Sequence, residues 1–112
     1  MSGVRLGRAL VLETRQSEAD GAGGLIERWV ALGTLWADVA AGSGRDVPGE
    51  EVTVSSVPYR ITVRAAPPGS PARPLPEQRF REGTRVFRIV AVAERDRGGQ
   101  YLTCFAREEV PA

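Results

Sequence analysis

The chain has 112 residues, 42% apolar, 26% charged and 6% aromatic, with 13 glycines and 8 prolines; this describes one small globular domain rich in loops and argues against a two-lobed enzyme. Fifteen basic residues against 14 acidic give a formal charge of +1, so no global field draws the chain onto nucleic acid or anionic lipid. One cysteine, Cys104, and no histidine exclude an internal disulfide framework, a cysteine-based zinc site and Ser-His or Cys-His nucleophile activation.

Every basic residue is arginine, for which codon bias is a simpler account than selection, although guanidinium groups still favour forked bonds to carboxylates across interfaces. The single cysteine suits a reducing, cytosolic origin. The start, MSGVRLGRALVLE, reads as no export signal, and no window approaches the ~20 apolar residues of a membrane span.

In chain order, Ala9 to Arg15 (ALVLETR) reads as a strand, and Gln16 to Asp20 turns polar. Gly21, Gly23 and Gly24 then supply the positive-φ positions of a hairpin. LIERWVAL, from Leu25, alternates Leu25, Glu27, Trp29 and Ala31 with Ile26, Arg28, Val30 and Leu32, the period of a strand antiparallel to the first. Gly33 breaks or bulges that strand, and TLWADVAA resumes it with Leu35, Ala37 and Val39 opposite Trp36, Asp38 and Ala40. Leu32, Leu35, Trp36 and Val39 also match a helical stripe, so a helix over 32–41 is the alternative; strand is preferred because Gly33 and Thr34 weaken a short helix at its start.

Residues 42–51, GSGRDVPGEE, have the composition of a charged projecting loop. A β-rich stretch comes next in VTVSSVPYRITVRAA, where Pro58 is confined to an edge or bulge. Residues 65–77 include five prolines between Pro67 and Pro76, which predicts an extended polyproline-like arm within the single domain 1–112. The remainder, QRFREGTRVFRIVAVAE, DRGGQ and YLTCFAREE, reads as a strand meander: Phe87, Ile89, Ala91 and Ala93 share one face, and Leu102, Cys104 and Ala106 another. The expected fold is mainly β: a small antiparallel barrel or sandwich of about six strands, with long loops and little helix.

Poised chemistry is hard to assemble from these residues. Cys104 in an alternating strand reads as a small buried apolar residue. Glu50-Glu51 and Glu108-Glu109 lie in polar, solvated segments where neither desolvation nor a partner would raise a pKa, and adjacent residues on a strand point to opposite faces, which spoils a carboxylate dyad. The DGAGG and GSG glycines are followed by neither lysine nor helix, so they read as turns, not a phosphate loop. No catalytic residue, cofactor or metal is expected. Trp29 and Trp36 could form a stacking platform for single-stranded nucleic acid, or plug the core or an interface of a chain with few aromatics.

The order of motifs resembles the head-tail adaptor, or head-closure, proteins of long-tailed bacteriophages and gene-transfer agents. The resemblance spans residues 8 to 109 and rests on the first strand at Leu10 to Arg15, the DGAGG turn, the Trp29…Trp36 pair in W…TLWADV, GSGRD at Gly42 to Asp46, YRITVR at Tyr59 to Arg64 and GTRVFRIVAV at Gly83 to Val92 before YLTCFAREE. The proline-rich stretch at 65–76 departs from the family pattern. The resemblance implies a structural, non-enzymatic stopper subunit, assembled in the bacterial cytoplasm and placed in the neck of a virion or gene-transfer particle. Its ring, of six copies in preference to twelve, would sit beneath portal and adaptor rings, retain double-stranded DNA in its channel without sequence-specific or membrane binding, and present a platform to the tail terminator or tail tube.

By position in the family, Ala41 to Glu51 would project toward that channel. Ser43, Arg45, Asp46, Glu50 and Glu51 are its candidate residues, the carboxylates repelling sliding DNA and Arg45 pairing between loops. Trp29, Trp36, Arg60, Arg64 and Phe87 are candidate subunit or core contacts. A ring subunit needs two different complementary faces on one chain, and balanced arginine and carboxylate content suits salt bridges between copies.

Overall fold

A computed structural model describes residues 3–42 and 56–109. Among the described residues six strands succeed one another: β1 (Arg8–Ala19), β2 (Leu25–Ala41), β3 (Ser56–Arg64), β4 (Arg79–Glu82), β5 (Arg85–Glu94) and β6 (Tyr101–Glu109). Every pairing is antiparallel, and the order β1-β2-β3-β6-β5-β4 closes into a barrel through β1 and β4. Residues 32–41 are strand, not helix; tertiary pairing with β1 and β3 outweighs the local helical stripe.

Alternation places one residue in two inside the barrel. Leu10 and Leu12 of β1, Ala37 of β2, Ile61 and Val63 of β3, Phe80 of β4, Phe87 and Ile89 of β5, and Leu102, Cys104 and Ala106 of β6 are fully buried and form the core. Two bulges interrupt the alternation. In β2, Leu12 pairs with Gly33 while Glu13 pairs with Ala31, so Leu32 is the extra residue. In β5, Ile89 pairs with Ala106 while Ala91 pairs with Phe105, so Val90 is extra. Each extra residue reverses the in-out phase of the strand beyond it. Past Ile89, Val92 therefore packs on the core, and Ala91 and Ala93 do not share the face of Phe87 and Ile89 as the alternation suggests.

β1 does not stop at Arg15. Gln16 to Ala19 continue it, pairing with Leu25 to Arg28. The barrel contacts of these two strands end earlier, since β4 pairs only with Val11 to Glu13 and β3 only with Ala37 to Ala41. Thr14–Ala19 and Leu25–Ala31 thus form a two-stranded ribbon that projects past the barrel, and the principal extents are 56 × 34 × 26 Å. The radius of gyration, 14.8 Å, exceeds the ~13 Å of a compact chain this long. Polar residues here marked solvent on both faces, not the end of the strand.

At the ribbon tip, Asp20 Oδ1 accepts hydrogen bonds from the N–H of Ala22 (2.7 Å) and Gly24 (3.0 Å); Gly21 and Gly23 hold φ of 82° and 86°, whereas Gly24, expected with them, is not at positive φ.

The prolines do not extend the chain away from the body. Residues 65–78 turn repeatedly across one end of the barrel: Ser70 N–H donates to Pro67 O, Arg73 N–H to Ser70 O and Gln78 N–H to Leu75 O. Pro74 is fully buried, and Arg73 Nη1 donates to Ala66 O at 2.9 Å. Fixed φ values suit such a chain of turns as well as an extended one, and an apolar barrel mouth favours the folded form.

Candidate functional site

Three surface regions stand out on the described residues. The first is an outer face built by β4, β1 and β2. Glu13 and Arg79 are cross-strand neighbours, and Glu13 also lies beside Arg81, because Arg81 pairs with Val11 two residues earlier on the same face. Arg79 Nε donates to Glu13 Oε1 at 2.7 Å and Arg81 Nε to Oε2 at 3.0 Å. Glu13 is only 6% exposed. Burial opposes its ionisation, but the two guanidinium hydrogen bonds outweigh that penalty and hold the carboxyl below its ordinary range. The same Arg79 lies 4.1 Å from the centre of the Trp29 ring, and Arg15 lies 5.0 Å from it. Trp29 is thereby engaged by cations at the root of the ribbon, where it braces ribbon against barrel and is poorly placed to stack bases.

The second region closes the barrel end opposite the proline turns, where β1, β3 and β5 begin and β4 and β6 finish. Arg85 makes a fork to Glu108 (2.7 and 3.1 Å) and reaches the Tyr59 hydroxyl at 3.3 Å, while Arg8 forks to Glu82. Tyr59 meets Phe87 edge to face with ring centres 5.2 Å apart. The hydrogen bond from Arg85 lowers the pKa of Glu108, and that from Arg8 lowers that of Glu82; the same bonds raise both arginines. Gly42, whose N–H donates to Pro58 O, ends the described part of the chain here, and β3 begins again at the same end.

The third region is a groove of about 250 Å³ where β2 and β3 part, lined mainly by Leu6, Leu35, Trp36, Arg64, Ala65 and Ala66. Trp36 is 59% exposed, so it is no core plug. Arg64 stands over the Tyr101 ring at 5.9 Å. Of the candidate contacts, then, Trp36 and Arg64 come together, Phe87 is core, Trp29 belongs to the Glu13 face, and Arg60 lines a separate polar cleft with Asp38, Thr62 and Arg95. Ser43, Arg45, Asp46, Glu50 and Glu51 lie outside the described residues.

Burial pushes the Cys104 thiol up to about 12, which keeps it protonated at neutral pH. Among the described residues no cluster of three or more His, Cys, Asp or Glu side chains could hold a metal. Sequence reasoning missed Glu13, Arg85 and Glu108. The alternation in RFRE puts Arg79 and Arg81 on one face, but their partner Glu13 comes from 66 and 68 positions away.

Comparison with known proteins gives two kinds of match. A family model described as phage head completion protein matches residues 1–109. Among solved structures, a chain from the virion of a native gene transfer agent (GTA) particle is 64% identical, with a TM-score of 0.78, covering 96% of this chain and 98% of that one. Protein SF1141 from Shigella flexneri 2a, in a solution structure, shares the fold at 24% identity and a TM-score of 0.71, covering 96% of each chain. A search of curated proteins returned no match.

Proposed function

Because the chain belongs to the phage head completion protein family, we propose that it is a non-enzymatic stopper subunit. It assembles into a ring in the neck of a phage-like or gene-transfer particle, between the portal-adaptor complex and the tail, retains packaged DNA and presents the platform on which the tail docks. The observation that carries this reading is the likeness along nearly all of both chains to a component of a gene transfer agent virion, at 64% identity. The family supplies the structural role in head completion, and the ring is a further step.

Support for a ring comes from the unlike surfaces of one small subunit. The ribbon has open backbone edges along both strands, since β3 and β4 reach neither Leu25–Trp36 nor Thr14–Ala19, and the groove at Trp36 is a different, concave surface. Open edges and exposed apolar groups call for partners, and two different surfaces on one chain suit head-to-tail closure. Six copies is the preferred number.

The connection between β2 and β3, with Arg45, Asp46, Glu50 and Glu51, is proposed to meet the DNA. Like charge between its carboxylates and phosphate would let the duplex slide without being held. Its assignment to the channel rests on sequence position.

The test is a particle preparation lacking this protein. DNA-filled heads that lose their DNA and fail to join tails are expected. Tailed particles that keep their DNA would refute the stopper role. Rings are counted directly by electron microscopy of isolated necks.

A further inference from the structure

The ribbon tip and the Trp36 groove are both unsatisfied. Leu25 is 75% exposed and Ile26 47%, at the end of a turn held rigid by Asp20. We propose that Leu25 of one copy seats in the groove of a second copy, against Trp36, Leu35 and Ala66, and that this contact joins neighbouring subunits. The proposal rests on the ring reading and names its interface.

Three observations select a second copy as the occupant. The first is shape: a leucine side chain is the right size for one end of a cavity of about 250 Å³ with mostly apolar walls. Charge is the second. Glu18 is paired with Arg28 at 3.2 Å, so the charge at the tip is that of Asp20, whereas Arg64 lines the groove and Arg73, bound to Ala66 O, stands at its margin. An acidic tip entering a basic rim is steered and oriented by the charges.

Distance is the third. Leu25 and Trp36 belong to the same strand, eleven positions apart, which at the rise of an extended strand is about 35 Å. A tip held in a rigid strand cannot fold back on its own groove, so the contact forms only between copies. Each copy then offers one tip and one groove, a heterologous contact that closes into a ring if the rotation per subunit allows it.

The ribbon benefits from the arrangement as well. A two-stranded hairpin alone is marginal in water, and anchoring its far end in a neighbour fixes it at both ends.

Leu25→Cys and Ala66→Cys are made in separate chains, mixed in equal amounts, and treated with a short bis-maleimide, both free in solution and in particles assembled from the mixture. Cys104 is fully buried and stays out of the reaction. A covalent dimer from the mixture, well above either variant alone, is expected, and Leu25→Asp in the otherwise native chain should weaken self-association about tenfold or more. Rings that form without the cross-link, and persist with Leu25→Asp, would overturn the tip-in-groove contact while leaving the ring reading intact. No self-association, free or in particles, would overturn both. Cross-linking of the Leu25→Cys tip only to a different neck protein would overturn the choice of a second copy.

Discussion

Trp29 and Trp36 both point outward from the sheet although they stand seven positions apart on one strand. On an unbroken strand an odd separation puts two side chains on opposite faces. The extra residue at Leu32 resets the phase, so both indoles face outward, Trp29 under two guanidinium groups and Trp36 open beside the groove.

Their environments should be separable by quenching. With Trp29→Phe, the remaining Trp36 emission is expected to be red-shifted and readily quenched by iodide. With Trp36→Phe, the remaining Trp29 should be less accessible. Equal Stern–Volmer constants would contradict the cover that Arg15 and Arg79 give the Trp29 ring.

Truncating Phe87 and Trp36 should have opposite consequences for the isolated subunit. Phe87 is fully buried against Tyr59 and the barrel core, and Phe87→Ala is expected to cost about 3–5 kcal/mol in urea unfolding. Trp36→Ala removes an exposed ring and should change stability by no more than about 0.5 kcal/mol. A large loss with Trp36→Ala would mean that the groove supports the fold itself.

Acid should weaken the barrel through three carboxylates. Glu13, Glu82 and Glu108 all titrate below the ordinary 4.5 in the folded chain. A folded pKa below the unfolded one gives stability that is fully present above 4.5 and lost as pH falls through the folded values. Urea midpoints should be flat on this account from pH 7 to about 5 and fall below that. Glu13→Gln should lower the stability at pH 7 by about 2–3 kcal/mol, because it weakens two bonds to a nearly buried carboxylate, which shows as a lower urea midpoint, and it should make the acid limb shallower. An unchanged acid limb in Glu13→Gln would show that the Arg79 and Arg81 bonds contribute little.

The β4–β5 turn depends on one glycine. Glu82 pairs with Arg85 across a two-residue loop, Gly83 has φ of 60°, and Thr84 is not at positive φ, the pattern of a type II′ turn. Gly83→Ala should cost about 1 kcal/mol or more, read as a lower melting temperature. A neutral result would mean that the turn relaxes to another type.

Cys104 should resist modification. With its thiol pushed up to about 12 and no exposed surface, it is expected to react with a disulfide reagent only after unfolding. Rapid reaction of the native chain at pH 8 would show that the barrel opens.

Much was legible in the sequence because it is local. Two-residue alternation identified β5 and β6 and put Leu102, Cys104 and Ala106 on one face, and the DGAGG and DRGGQ turns came from their glycines. The order of motifs also pointed to the head-completion family. Features that the sequence could not decide depend on contacts between distant segments. Gln16 to Ala19 form a strand because Leu25 to Arg28 pair with them, and solvent on both faces hides that from any apolar pattern. The prolines of 65–78 fold over a barrel mouth that exists only once six strands have closed. Glu13 is held by arginines more than sixty residues away, and the faces of Trp29 and Trp36 were set by a bulge whose extra residue is defined only against β1. Periodicity fixes which side chains can share a face within one strand; cross-strand register decides which face that is, because one inserted residue turns every later side chain to the other side.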